Sequence, residues 1–474
     1  MRFLALLLLV AQTAYATSLR AGAAQVDITP PVGAPMAGYY VPRVAEGVHD
    51  RLYVKAIVIE KDGVRAAFAA CDLALLPRNL SQQARQLIQQ QTGIAPDHVM
   101  ISATHDHTGP VILQTPSRYN LTGKMLQITR DYTNALPGRI AQAVEEAASH
   151  LQPAVIRAGI GRETTLAFNR RYFMKNGTVG WNPGKLNPNI LRPAGPTDPT
   201  IPVLYIETPD GNPIASYVNF SMHQDTTGGL KFSEDFSYAL GKILQMAKGK
   251  DLVSMFTIGC AGDINHLDFS RKEKQESYHE AARIGAVLAG DVLKVIQRAP
   301  EIPIDKISVS DQELHLELPH FTPEEVAWAR RTQATYGTAS PAPFLDLVRA
   351  AKIIDIADRH GKPFDAEVQV IALGPQIAFA SFPGEMFTQF GMNVKQDSPF
   401  PITITPELAN GDLGYIPNRQ AYPEGAYEVV STRLKPGAGE KLMNSALDQL
   451  QQLFREQQSA DERRNPSAAA QGQP

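Results

Sequence analysis

Cysteine is nearly absent: Cys71 and Cys260 are the only two in 474 residues. Two thiols cannot staple a chain of this length, so a disulfide-built fold is excluded and stability must come from a large core. Both lie in apolar, strand-like stretches, which predicts buried free thiols; neither has an activating partner nearby in sequence. Long apolar runs are also scarce. The run Leu4-Ala5-Leu6-Leu7-Leu8-Leu9-Val10 falls short of the roughly 20 residues that cross a bilayer. With Arg2 before it and Ala14-Tyr15-Ala16 after it, it reads as a signal peptide over residues 1–16, making the mature protein secreted or periplasmic. An excess of one charge is missing too. The 45 basic and 48 acidic residues leave −3, which argues against a nucleic-acid partner and a polybasic membrane patch. No transmembrane segment is expected; transient contact with a membrane surface and the oligomeric state stay open. There is no Gly-x-Ser-x-Gly elbow, no Gly-x-Gly-x-x-Gly or Walker A loop and no His-Glu-x-x-His helix, so acyl-serine and phosphate-cradle mechanisms have no support.

What remains is an ordinary globular composition, 43% hydrophobic and 20% charged, with strand and helix patterns alternating almost to the end. Residues 53–60 and 66–73 flank Lys61-Asp62-Gly63 as a hairpin, and 203–207 and 214–220 flank Pro209-Asp210-Gly211 as another. Residues 98–103 read as a short buried strand, and 253–258, 366–373, 377–382 and 402–405 as further strands. Helices are expected from Ser81 as N-cap to Gly93, over 131–150 with a kink at Pro137, and over 236–248, 272–298 and 440–457. Two more fall between 322 and 360, the first opened by Thr322-Pro323-Glu324-Glu325. The proline-rich stretch 182–199 reads as a long ordered loop or lid. The fold class is therefore α/β: one large domain of mixed β-sheets flanked by helices, covering 17–458, with any metal site at strand ends and a disordered tail over 459–474.

Five segments could carry chemistry. Thr104-His105-Asp106-His107-Thr108 follows an apolar strand; two histidines spaced by one residue in extended chain point the same way and can converge on a cation, or can sit in a solvated loop. His223 also closes an apolar strand. Glu385 follows Pro383-Gly384 just before a helical pattern, where the helix dipole alone would favour it. Tyr415 lies in a turn-rich segment and alone reads as packing. Cys260-Ala261-Gly262-Asp263-Ile264-Asn265-His266 places two hydrogen-bonding side chains after a strand, or forms a simple Asx turn.

Together, and in order, these segments resemble the catalytic domain of the neutral ceramidase family. The resemblance rests on Gly22-Ala23-Ala24-Gln25-Val26-Asp27-Ile28-Thr29-Pro30, Met36-Ala37-Gly38-Tyr39, the run from Ile101 through His105 to Pro110, Phe168-Asn169-Arg170, Gly262-Asp263-Ile264-Asn265, Pro383-Gly384-Glu385, Tyr415 and Tyr427. It implies one zinc ion per chain held by His105, His223, Glu385 and Tyr415. It implies that His107, Arg170 and Tyr427 line the reacting carbonyl, and that Asp263 and Asn265 contact substrate. Two departures stand out. Family members carry Gly-Asp-x-Ser-Pro-Asn where this chain has Asn265 followed by His266, and they carry a C-terminal immunoglobulin-like domain where this chain ends after its catalytic part.

The chemistry suits these residue types. Zinc brings the pKa of a bound water toward ~7 and polarises a carbonyl. The expected function is a zinc-dependent amidohydrolase cleaving an N-acyl amide of lipid character, ceramide first among candidates. Another amide, an ester or a lactone is the alternative, and a non-catalytic binding protein the alternative of another class.

Overall fold

The computed structural model describes residues 19–40, 43–114, 119 and 121–464, with side chains through residue 458. The expected signal peptide, and the tail beyond residue 464, lie outside the described residues.

Three four-stranded sheets make up the centre. In the first, β1 (Arg20–Asp27), β2 (Tyr53–Lys61), β3 (Val64–Cys71) and β4 (Val99–Ala103) lie in the order β4-β3-β2-β1, with Gln152–Pro153 as a short extra edge. In the second, β5 (Val155–Arg162), β6 (Thr200–Glu207), β7 (Pro213–Phe220) and β8 (Val253–Ile258) lie in the order β8-β7-β6-β5. In the third, β9 (Ile307–Leu316), β10 (Phe364–Leu373), β11 (Ile377–Ala380) and β12 (Ile402–Ile404) follow one another directly. Each sheet contains one parallel pair, β3 with β4, β7 with β8, and β11 with β12.

Alternation along the strands explains the layering. On β3, Ala66, Phe68 and Ala70 face a core shared by all three sheets, while Ala67, Ala69 and Cys71 face the opposite side. The shared core centres on one aromatic ring from each sheet: Phe68, Tyr217 and Phe379, with centroids 4.4 to 6.0 Å apart. Full burial of such a ring contributes about 1.5–3 kcal/mol, and aliphatic side chains of all three sheets surround the trio. Helices α1 (Arg78–Thr92) and α2 (Gly123–Ser149) pack against one another, and α2 lies on the first sheet; α3 (Phe236–Lys248) and α4 (Tyr278–Arg298) cover the second; the C-terminal helix Ala438–Arg464 covers the third. The mixed α/β class expected from the sequence is what the chain adopts, and both cysteines are buried and free.

Several boundaries differ from expectation. Ser81 is fully buried inside α1, which begins after Pro77, because proline fixes the chain at the helix entrance. Helix α2 begins at Gly123, well before residue 131, and carries buried Pro137 without ending. Helix α4 starts at Tyr278 rather than 272, since the Ser277 side chain accepts from Glu280 N and caps it there. The final helix runs to Arg464, into the stretch expected to be disordered. The 182–199 stretch contains a strand, Ile190–Pro193, which pairs with Arg171–Met174 beside Val179–Trp181. The Thr322-Pro323-Glu324-Glu325 start is a full capping box opening α5 (Pro323–Gln333), which packs on α6 (Phe344–Asp358).

Candidate metal centre

The C-terminal ends of the three parallel pairs meet at one place. Isolated backbone bridges fasten them there: Ser102 to Ala409, Gly259 to Pro406, and Asp106 to Gln224. Strand ends leave backbone groups and side chains free to face a ligand, which is why α/β proteins place sites there. His105 and His107 follow β4, His223 follows β7, and Glu385 and Tyr415 follow β11 and β12. Glu385–Met386 pairs in parallel with Tyr415–Ile416, so Glu385 and Tyr415 are direct register partners.

His105 has φ 65°, a left-handed conformation uncommon for a side-chain-bearing residue. The segment is therefore a turn, not the extended chain the two-residue spacing suggested, yet it still brings His105 Nε2 and His107 Nε2 to 3.1 Å. His105 Nδ1 donates to Ala74 O at 2.8 Å, which leaves its Nε2 facing the centre. Arg170 Nη1 lies 3.2 Å from His223 Nε2; a guanidinium can only donate, so this nitrogen presents its lone pair. The three histidines offer nitrogens within 4.8 Å of one another.

Glu385 Oε2 completes the cluster. It lies 3.4 Å from His105 Nε2 and 3.3 Å from His223 Nε2, buried and without a hydrogen bond of its own. Ligands held at 2.0–2.1 Å around a tetrahedral zinc stand roughly 3.3–3.4 Å apart. An orphaned carboxylate oxygen at that spacing from two imidazole nitrogens fits a cation of this kind. Burial opposes ionisation of Glu385, but His105 and His223 outweigh it and hold its pKa well below the usual carboxylate range. Burial, then Arg170, keeps His223 well below the usual imidazole value, and burial with His105 does the same for His107. For His105, burial is outweighed by Glu385, whose charge raises its pKa; a cation would stand where that proton does.

Arg170 reaches the centre from the side. Its Nε donates to Glu428 Oε1 at 2.8 Å and its Nη2 to Gly262 O at 2.9 Å, and its guanidinium lies 5.3 Å from the Tyr415 ring centroid. The Tyr415 and Tyr427 rings stand edge to face at 5.4 Å. A cavity of about 240 Å³ opens over the centre, with His105, His107, Glu385, Tyr415 and Tyr427 in its wall and α6 across it.

Asp263 and Asn265 do not line that cavity. Asp263 Oδ2 accepts from Asn169 Nδ2 at 2.7 Å, its Oδ1 accepts from Thr388 N at 2.8 Å, and its carbonyl accepts from Arg170 N at 2.9 Å. Asn265 Nδ2 donates to Asn182 Oδ1 at 3.0 Å, and Phe168–Asn169 pairs with Ile264–Asn265. Both residues thus brace the Arg170 segment; their contact with substrate stays what the resemblance implies.

Sequence reasoning missed Glu428, which is 0% exposed and shared between Arg170 and Arg171. It also missed Asp225, which accepts from Tyr39 Oη at 2.6 Å and lies 3.6 Å from His107 Nδ1. Tyr39 stood inside a recognisable motif and Glu428 stands next to Tyr427, and these neighbours were the available clue. The glycines of those motifs have a direct cause. A Cβ on Gly262 would lie 2.4 Å from Glu385 O, and one on Gly38, whose φ is +92°, 2.7 Å from His107 Cβ.

Residues 19–224 match the N-terminal region of the neutral/alkaline non-lysosomal ceramidases. Neutral ceramidase A of Dictyostelium discoideum is 23% identical over 514 aligned positions, which cover 89% of this chain and 70% of that protein. The likeness to that family's model is thus carried by the N-terminal part of the chain, residues 19–224. The neutral ceramidase of Pseudomonas aeruginosa is 27% identical over 210 residues, 43% of this chain and 30% of its own. The crystal structure of that enzyme superposes with a TM-score of 0.72 at 19% identity, covering 93% of this chain and 75% of the solved one. The likeness is one of fold, and it extends over all three sheets.

Proposed function

We propose that this chain is a zinc-dependent amidohydrolase, exported from the cell, that cleaves the amide of an N-acyl amphiphile such as ceramide. One observation carries the reading: Glu385 Oε2, buried and without a hydrogen bond, stands 3.3–3.4 Å from two imidazole nitrogens beneath a cavity. His105, His223, Glu385 and Tyr415 would hold the ion. When bound, zinc supplies a Lewis acid and a water of lowered pKa.

The remaining residues have roles that follow from charge and position. His107 is half-buried and its pKa is held well below the usual imidazole value, which favours the neutral ring, so it can take a proton from water and return it to the leaving amine. Arg170 stays charged and is anchored by Glu428 and Gly262 O; Nη1 is the part of its guanidinium turned to the centre. With Tyr427 it stabilises the negative oxygen that develops on the carbonyl, and each such donor contributes about 3 kcal/mol. Apolar residues Val111, Ile112, Leu347 and Val348 line the same cavity and suit an acyl chain. No helix among the described residues is long and apolar enough to cross a membrane. We further assign residues 17–458 to one catalytic domain.

The test is a panel of ceramide, short N-acyl amides and esters, run before and after chelation, with metal analysis of the purified protein. Amide turnover lost on chelation and restored by zinc supports the reading. A metal-free preparation with full turnover overturns it, and metal without turnover of any substrate points to the binding protein.

A further inference from the structure

Helix α6 presents Leu347, Val348, Ala351 and Ile354 to the cavity, and on the same face stands Lys352. Its ammonium has three protons to donate. One goes to Val429 O, at 3.5 Å. The acidic groups around it already have partners. Asp355 pairs with Arg433 at 2.8 Å, Glu428 is shared by Arg170 and Arg171, and Glu325 lies 3.5 Å from Arg349. Among the described residues no carboxylate lies within 4 Å of Lys352 Nζ. Burial, with Arg349 beside it, brings the pKa down to about 8, as expected of a cation lacking a counter-ion.

A lysine on an apolar wall normally bends its head group out to water. This one turns toward the helix Ala426–Ser431, which also carries Tyr427 of the same cavity wall. A cation held there, with donors left over and no carboxylate within 4 Å among the described residues, can receive a negative charge from a ligand in the cavity.

We propose that Lys352 is a specificity residue that recognises an anionic group, carboxylate or phosphate, on the substrate. The preferred substrates are then acidic N-acyl amphiphiles rather than neutral ones. This rests on the amidase reading above.

The experiment compares N-lauroylglycine and N-lauroylethanolamine phosphate with neutral N-lauroylethanolamine, for wild type, Lys352→Met and Lys352→Arg. A charge-assisted hydrogen bond in a cavity predicts a wild-type kcat/KM about tenfold higher for at least one acidic substrate. That ratio should collapse toward one in Lys352→Met and return in Lys352→Arg, an outcome that a purely structural role would not produce. A wild-type ratio near one, or one unchanged in Lys352→Met, overturns the proposal. Should neither these three nor ceramide be hydrolysed, the amidase reading fails by itself. Calorimetric binding of dodecyl phosphate against dodecanol then tests Lys352 alone: a preference for the phosphate that Lys352→Met abolishes supports it, and equal preference in both proteins overturns it.

Discussion

Glu385 and Tyr415 are register partners across a two-residue parallel pair, so the backbone that positions one side chain positions the other. Losing the carboxylate should therefore be felt more than losing the phenol hydroxyl. Glu385→Gln removes a charge set between two imidazoles, and Tyr415→Phe removes one neutral donor. We expect His105→Ala to abolish metal retention and turnover, Glu385→Gln to weaken metal binding at least about 100-fold, and Tyr415→Phe by about tenfold. Competition titration with a zinc chelator reads all three. Equal losses for Glu385→Gln and Tyr415→Phe would contradict the ranking.

Arg170 combines a chemical and a structural task. Arg170→Met should lower turnover by about 10²–10³, the range for removing one donor to a developing oxyanion. It also strips Glu428 of one of its two guanidinium partners. Breaking a buried pair costs about 3–5 kcal/mol when no partner remains, and Arg171 should soften that loss. Denaturant titration of Arg170→Met, Arg171→Met and the double variant separates the effects. The double variant should lose more than the two single variants combined.

Gly262 has no room for a side chain, because Glu385 O would stand 2.4 Å from the new Cβ. Gly262→Ala is expected to push the Glu385 strand pair away from the histidines. Metal affinity should fall more steeply than stability, which we expect to drop by about 1–3 kcal/mol, the range for overpacking. Metal titration beside thermal unfolding checks this; unaltered zinc affinity would show that the strand pair tolerates the shift.

Lys395 and Asp198 tie the proline-rich stretch to the helix Thr388–Asp397 through a 2.8 Å ion pair. Burial disfavours the Asp198 carboxylate, but Lys395 and the Thr200 hydrogen bonds prevail and its pKa is lowered. Its stabilising contribution is thus full above the unfolded value of about 3.9 and is lost as pH falls through the lower folded value. Lys395→Met leaves the carboxylate buried and should cost about 3–5 kcal/mol at neutral pH. The difference in unfolding free energy from wild type should shrink below pH 4. A difference independent of pH would assign the loss to packing.

The thiols offer a test of the core. Burial raises the pKa of Cys71 and Cys260 and keeps both as inert thiols. A thiol-reactive dye should label neither in the native protein and two per chain after unfolding.

Strand and helix order was legible because apolar alternation and caps are local signals. The hairpin turning at Asp62-Gly63 and the Thr322 capping box are examples. The strands β1, β5 and β9 were not read, since pairing across distant segments, rather than a local turn, defines them. The start of α4 at Ser277 was written in the Ser277-x-x-Glu280 spacing and was overlooked. The metal cluster was legible only as a family resemblance: no local pattern joins His105 to Glu385. Glu428 was illegible for the same reason, lying 258 positions from Arg170. The bonds by which Asp263 and Asn265 brace Asn169, Thr388 and Asn182 were out of reach of local patterns for the same reason.

The three backbone bridges that join the sheets at the centre also set a timetable for synthesis. His105 leaves the ribosome with most of the chain still to come, and Tyr415 is among the last residues to arrive. No chain shorter than 415 residues holds all four proposed ligands. A cation that loads at all four must therefore meet a chain that is nearly complete, in whichever compartment it folds.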